Sequence, residues 1–108
     1  LGEVAGEDLR AELILPHVPD WAEPIWHLFV ISHPRRDALQ KQLAEAGIGT
    51  LIHYPIPPHL SQAYSDLDLP QDSLPLAEQI ASRVLSLPIG PHMEQAQTEK
   101  VISAVEAL

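Results

Sequence analysis

The chain has 108 residues, 45% of them hydrophobic and 19% charged, with a formal net charge of −9; this is the makeup of one globular domain with a modest core. The acidic balance argues against nucleic acid and anionic membrane as partners, since both need a basic face. With no cysteine there is neither a disulfide frame nor a thiol catalyst, and no apolar run approaches the ~20 residues of a membrane-spanning helix.

Residues 1–8 carry Gly and Glu and read as a frayed end. Residues 9–15 predict a short strand stopped by Pro16, and a proline-rich loop around Trp21 follows. The best strand covers 25–32. Trp26, Leu28 and Val30 alternate there with His27, Phe29 and Ile31, so both faces are expected to be covered. His33-Pro34 ends it, because the residue before proline avoids helix and proline cannot donate. A helix is expected over 35–46, with Leu39, Leu43 and Ala46 on one face, Lys41 opposite and Gly47 as its C-terminal cap.

A second strand is expected over 48–53, then one or two helical turns over 61–67 and a loop over 70–74. Pro75 suits the first turn of a helix that Leu76, Ala77, Ile80 and Val84 stripe to about residue 85. The run 86–91 breaks that helix and offers a short edge strand. The last helix, 94–107, should bury Val101, Ile102, Val105 and Leu108, with Glu94 at its positive start. There is no internal repeat and no second domain. The mixture predicts an α+β fold: a small antiparallel or mixed sheet, made by 25–32 and 48–53, with helices packed on one face.

The segment 47–64 is the most informative. Its apolar strand runs into His53 and Tyr54, and Pro55, Pro57 and Pro58 stiffen the exit, so two hydrogen-bonding rings are held on a rigid loop at a strand end. Other patterns are weaker. His27 with His33, and His53 with His59, lack the third ligand that a metal centre needs. Asp66 and Asp68 sit among turn residues, no serine lies in a strand-turn-helix elbow, and no glycine-rich phosphate loop is present.

Six pieces occur in a telling order: Trp26-His27-Leu28-Phe29-Val30-Ile31, Gly47-Ile48-Gly49, His53-Tyr54-Pro55, His59-Leu60-Ser61-Gln62-Ala63-Tyr64, Pro75-Leu76-Ala77-Glu78 and Leu85-Ser86-Leu87-Pro88-Ile89-Gly90-Pro91. Together they resemble the C-terminal small domain of the DegT/StrS-type sugar aminotransferases, a branch of the fold-type I pyridoxal-phosphate enzymes, across residues 9–108. The chain departs from that pattern at Pro57-Pro58 and at Met93-Glu94, where the family commonly has Pro-Leu and a Thr or Ser cap. The resemblance implies amino transfer from glutamate to a nucleotide-linked keto-deoxysugar, with pyridoxal phosphate in the full-length parent, a large cofactor-binding domain, a homodimer and a cytoplasmic location. It implies that His53 and Tyr54, and with them His59 and Gln62, face the substrate.

Such an enzyme needs a lysine for its Schiff base. Lys41 and Lys100 both lie opposite apolar helix stripes and read as surface lysines. The expectation is therefore an excised domain that binds no cofactor and is inactive alone. The other readings that the residues leave open are a freestanding small-ligand binding module and a dimerisation domain without catalysis.

Overall fold

In the computed structural model, which describes residues 9–108, helices form where the apolar stripes fall and strands end where prolines stand; the segment 1–8 lies outside the described residues. Strand β1, Phe29–Ser32, is followed by helix α1, Arg36–Glu45. Helix α2, Pro75–Arg83, runs directly into strand β2, Val84–Leu87, and helix α3, Gln95–Glu106, closes the chain. The fold is α+β, as expected, but the sheet is made differently. β1 pairs antiparallel with β2, Phe29 opposite Leu87 and Ser32 opposite Val84.

This register puts Phe29, Ile31, Leu85 and Leu87 on one face and Val30, Ser32, Val84 and Ser86 on the other. The first face carries the core. Ile31, Leu85 and Leu87 pack there with Leu39 and Leu43 of α1, Ile48 and Val101 of α3.

Three expected strands need correction, and proline accounts for two of them. Residues 25–28 are not strand: the ladder starts only at Phe29, opposite Leu87, because beyond Leu87 the partner chain leaves the sheet for a turn that Met93 N–H closes onto Gly90 O at 3.1 Å. Residues 9–15 instead contain the 3₁₀ turn Arg10–Glu12 and a single bridge, Ile14 to Ser32. The hydrogen-bonded pairs on either side of that bridge would fall at Pro16 and Pro34. Residues 48–53 likewise give one bridge, Leu51 to Ser86, and the next bonded pair on the Gly49 side would need the missing N–H of Pro88. The expected edge strand is therefore central: β2 lies between β1 and Leu51, and it begins at Val84, inside the helix that was expected to reach residue 85.

The helices hold better. α1 ends in a Schellman motif, with Ile48 N–H donating to Leu43 O at 2.8 Å and Gly47 N–H to Ala44 O at 3.0 Å. Gly47 takes φ +84°, a backbone that a side chain would strain. Arg36 is buried at the start of α1 and donates from Nη1 to Ala81 O and Val84 O, each at 3.0 Å, tying the α2–β2 junction to α1. Glu94 N–H donates to Gln97 Oε1 at 2.8 Å, so the start of α3 is closed without a Thr or Ser.

Several stripe residues lie outside the core. Ala46, Leu76 and Ile102 are exposed and Ile80 is 50% exposed; on α2 it is Ala81 that is buried. Trp21 and Ile25 are 88% and 97% exposed. The radius of gyration, 15.9 Å, exceeds the about 13 Å of a compact chain of this length. Much apolar surface therefore lies outside the sheet-and-helix core.

Candidate functional site

The second face of the sheet positions the candidate site. Ser86 points away from the core on β2 and is nevertheless buried. Its backbone exchanges both hydrogen bonds with Leu51, at 2.7 and 3.2 Å, and its Oγ lies 2.8 Å from His53 Nδ1. One residue thus fixes the backbone at Leu51 and the ring of His53 two positions later. Side chains two apart on an extended segment share a face, which is why this ring reaches that hydroxyl.

Tyr54 follows through a cis peptide bond, is 70% exposed, and sets its ring edge-on to that of His53 at 5.3 Å between centroids. The two rings line a cleft of about 490 Å³ whose walls include Ile56, Tyr64, Ile80 and Val84. The wall residues are mostly apolar, with a few polar tips from His53, Tyr54, Ser61 and Tyr64. That is the usual makeup of a small-molecule cleft. His53 also borders a second hollow of about 380 Å³ beside Gly49, Leu51, Ser86 and Ile89.

The other two candidates lie elsewhere. His59 is buried on the 3₁₀ turn Pro58–Leu60, and its Nε2 is 2.9 Å from Glu78 Oε2. Glu78 also accepts from the N–H groups of Asp72, at 2.9 Å, and Leu74, at 3.2 Å. The Asp72 N–H, followed by the His59 ring, holds the Glu78 carboxyl below the usual carboxylate range. The pair clamps the proline loop onto the start of α2. Gln62 is exposed on the next 3₁₀ turn, Gln62–Leu67, and neither it nor His59 lines the 490 Å³ cleft.

The other histidines and lysines singled out in the sequence do not join the site. His33 is wholly buried; Arg35 N–H donates to its Nδ1 at 2.8 Å, and its Nε2 lies 2.7 Å from Leu9 O. Both ring nitrogens are therefore taken by backbone, and His27 is exposed. Among the described residues no group of three or more His, Asp or Glu side chains is placed to share a metal ion. Lys41 and Lys100 are both exposed, on α1 and α3, and neither lines the cleft.

Sequence reasoning missed Ser86, Tyr64 and Glu78. The Leu85-Ser86-Leu87 alternation was the available signal for Ser86, because a period of two sends its hydroxyl to the face opposite the core.

The sequence pattern of the DegT/DnrJ/EryC1/StrS aminotransferase family matches residues 7–106. Over 95 residues the chain is 52% identical to the erythromycin biosynthesis sensory transduction protein EryC1 of Saccharopolyspora erythraea, covering 88% of this chain and 26% of that protein. Over 91 residues it is 52% identical to a dTDP-3-amino-3,4,6-trideoxy-alpha-D-glucose transaminase of Streptomyces venezuelae, covering 84% of this chain and 24% of that one. The crystal structure of S. venezuelae DesV in complex with a ketimine intermediate superposes with a TM-score of 0.80 at 50% identity, over 87% of this chain and 25% of that one. The chain thus spans about a quarter of the length of these relatives.

Proposed function

For a chain that belongs to the DegT/DnrJ/EryC1/StrS aminotransferase family, we propose that residues 9–108 act as the C-terminal small domain of a sugar aminotransferase and present a nucleotide-linked keto-deoxysugar to an active site built mainly by the rest of the enzyme. The parent reaction is amino transfer from glutamate with pyridoxal phosphate, in a cytoplasmic homodimer. The observation that carries the reading is the pair His53 and Tyr54, held on the rim of an apolar cleft by Ser86 and by the proline loop. The similarity to dTDP-aminosugar transaminases supports the substrate class.

The cofactor's covalent anchor does not fit this stretch of chain. Lys41 and Lys100 stand on the outer surfaces of α1 and α3, away from the cleft. The residues at hand bind and orient. His53 and Tyr54 offer hydrogen bonds to sugar oxygens, the exposed rings of Tyr54 and Tyr64 offer flat faces to the deoxy-sugar, and Ile56, Ile80 and Val84 exclude water from the cleft wall. Positioning of this kind lowers a barrier by several kcal/mol, up to about 11 in the best cases. His59 serves the site through Glu78, by fixing the loop that carries the rings, and Gln62 is left to meet substrate from the loop's outer side.

The exposed apolar residues support the domain reading over a freestanding module, because Trp21, Ile25, Leu51 and Leu76 have no cover within the described chain. A chimera tests the proposal. The matching quarter of the S. venezuelae transaminase is replaced by this chain, and the hybrid is assayed with its keto sugar. Measurable amino transfer is expected; a folded, cofactor-loaded hybrid with no turnover would refute it.

A further inference from the structure

The hydrogen bond between Ser86 and His53 decides more than the position of the ring. Two arrangements satisfy a 2.8 Å contact between Oγ and Nδ1. In one, Nδ1–H donates to the hydroxyl; in the other, the hydroxyl donates to a bare Nδ1. Ser86 is buried, and among the described residues its Oγ has no partner other than the His53 ring. The first arrangement strands the buried hydroxyl proton, whereas the second uses it. Leaving a buried donor unpaired is the costlier choice.

The far side of the ring is open. Among the described residues, one buried side-chain nitrogen or oxygen lacks a partner, and it is Nδ1 of His59. His53 Nε2, which has no protein partner there, therefore reaches solvent where the ring borders the two hollows.

We infer that Ser86 is a positioning residue that holds neutral His53 as the Nε2–H tautomer, so that the ring meets its ligand as a hydrogen-bond donor to an oxygen acceptor and not as a base. This deepens the reading of His53 as a ligand-facing residue and rests on it. The atom that sits against Nε2 is then a carbonyl, hydroxyl or carboxylate oxygen.

The tautomer can be read without turnover, so this test is decided separately from amino transfer. The chain is labelled with ¹⁵N-histidine, and long-range ¹H–¹⁵N correlation at a pH where the ring is neutral shows which nitrogen carries the proton. His53 is assigned by loss of its signals in His53→Gln. His33 is an internal standard, since the Arg35 N–H fixes its Nδ1 as acceptor and leaves the proton on Nε2. Wild type should show His53 with the same single-tautomer pattern as His33. Ser86→Ala should let the second tautomer in, and Ser86→Thr should restore the single pattern. A His53 protonated on Nδ1 in wild type overturns the inference, as does an unchanged pattern in a folded Ser86→Ala. Should Ser86→Ala fail to fold, the wild-type and Ser86→Thr patterns decide the matter.

Discussion

Replacing His33 with phenylalanine separates a structural histidine from a functional one. The ring is 0% exposed and bridges two backbone groups, Leu9 O at 2.7 Å and Arg35 N–H at 2.8 Å. Phenylalanine fills nearly the same volume, so the loss is of hydrogen bonds and not of packing. Leu9 is the N-cap of the 3₁₀ turn Arg10–Glu12, so its carbonyl keeps the Glu12 N–H; losing the ring there costs one hydrogen bond, about 0.5–1.5 kcal/mol. Arg35 is half-buried, and its N–H can turn to solvent; the net loss there is about 0.5–1.5 kcal/mol. Together the change is about 1–3 kcal/mol, which lowers Tm by roughly 5–15 °C in a domain of this size. Both tryptophans are exposed and make poor reporters, so urea unfolding should be followed by far-UV circular dichroism. A lower midpoint with an unchanged m-value is expected. A loss below ~0.5 kcal/mol would mean that His33 does not tie the 9–15 segment to β1, and the account of the N-terminal packing would fail.

Other consequences follow from the same contacts. Because the Glu78 carboxyl is held below its ordinary value of 4.5 by the Asp72 N–H and the His59 ring, its contribution to stability is complete above that value and is lost as pH falls through the lowered one. Glu78→Gln should therefore flatten the acid side of a plot of urea midpoint against pH, and an unchanged acid limb would count against the clamp. Val101→Asp places an unpaired charge in the core and should cost several kcal/mol, roughly 3 or more, while Ile80→Asp, on a half-exposed cleft wall, should stay within about 1 kcal/mol. Equal thermal shifts for the two would show that the core is wrongly placed. Gly47→Ala, at φ +84° and with its new Cβ 3.1 Å from Lys100 Nζ, should lose about 1–2 kcal/mol in the same unfolding assay; no loss would mean that the C-terminal turn of α1 relaxes freely.

The helices were legible in the sequence because their signals are local. Leu39 and Leu43 are spaced by one turn, and Gly47 supplies the left-handed cap; both can be read without knowing what packs on them. The strands were not, because pairing depends on the partner. The run 25–28 has strand character, yet the segment opposite it leaves the sheet after Leu87, and no reading of 25–28 alone reveals that. β2 was obscured for a related reason: Ile80 and Val84 continue a helical spacing across a junction that Arg36, far away in sequence, fixes at Val84. Ile80 and Ile102 fit their stripes and are nevertheless exposed, since periodicity identifies a face without saying what covers it.

The site divides in the same way. His53 and Tyr54 were visible as rings on a proline-stiffened strand end. The roles of Ser86 and Glu78 were not, because each depends on one contact across a long stretch of chain. His59 looked like its neighbours in sequence and is separated from them by burial.

The central claim is that His53 and Tyr54 serve the sugar and not the amino donor. The direct measurement is single-turnover kinetics of the two half-reactions in the chimera, with His53→Ala and Tyr54→Phe compared with the unmutated hybrid. Loss of one hydrogen bond to an uncharged sugar oxygen is worth about 0.5–1.5 kcal/mol, so kcat/KM for the keto sugar should fall roughly two- to tenfold in each variant. The half-reaction with glutamate should keep its rate. An equal fall in both half-reactions would contradict the account, because the pair would then be supporting the cofactor or the fold.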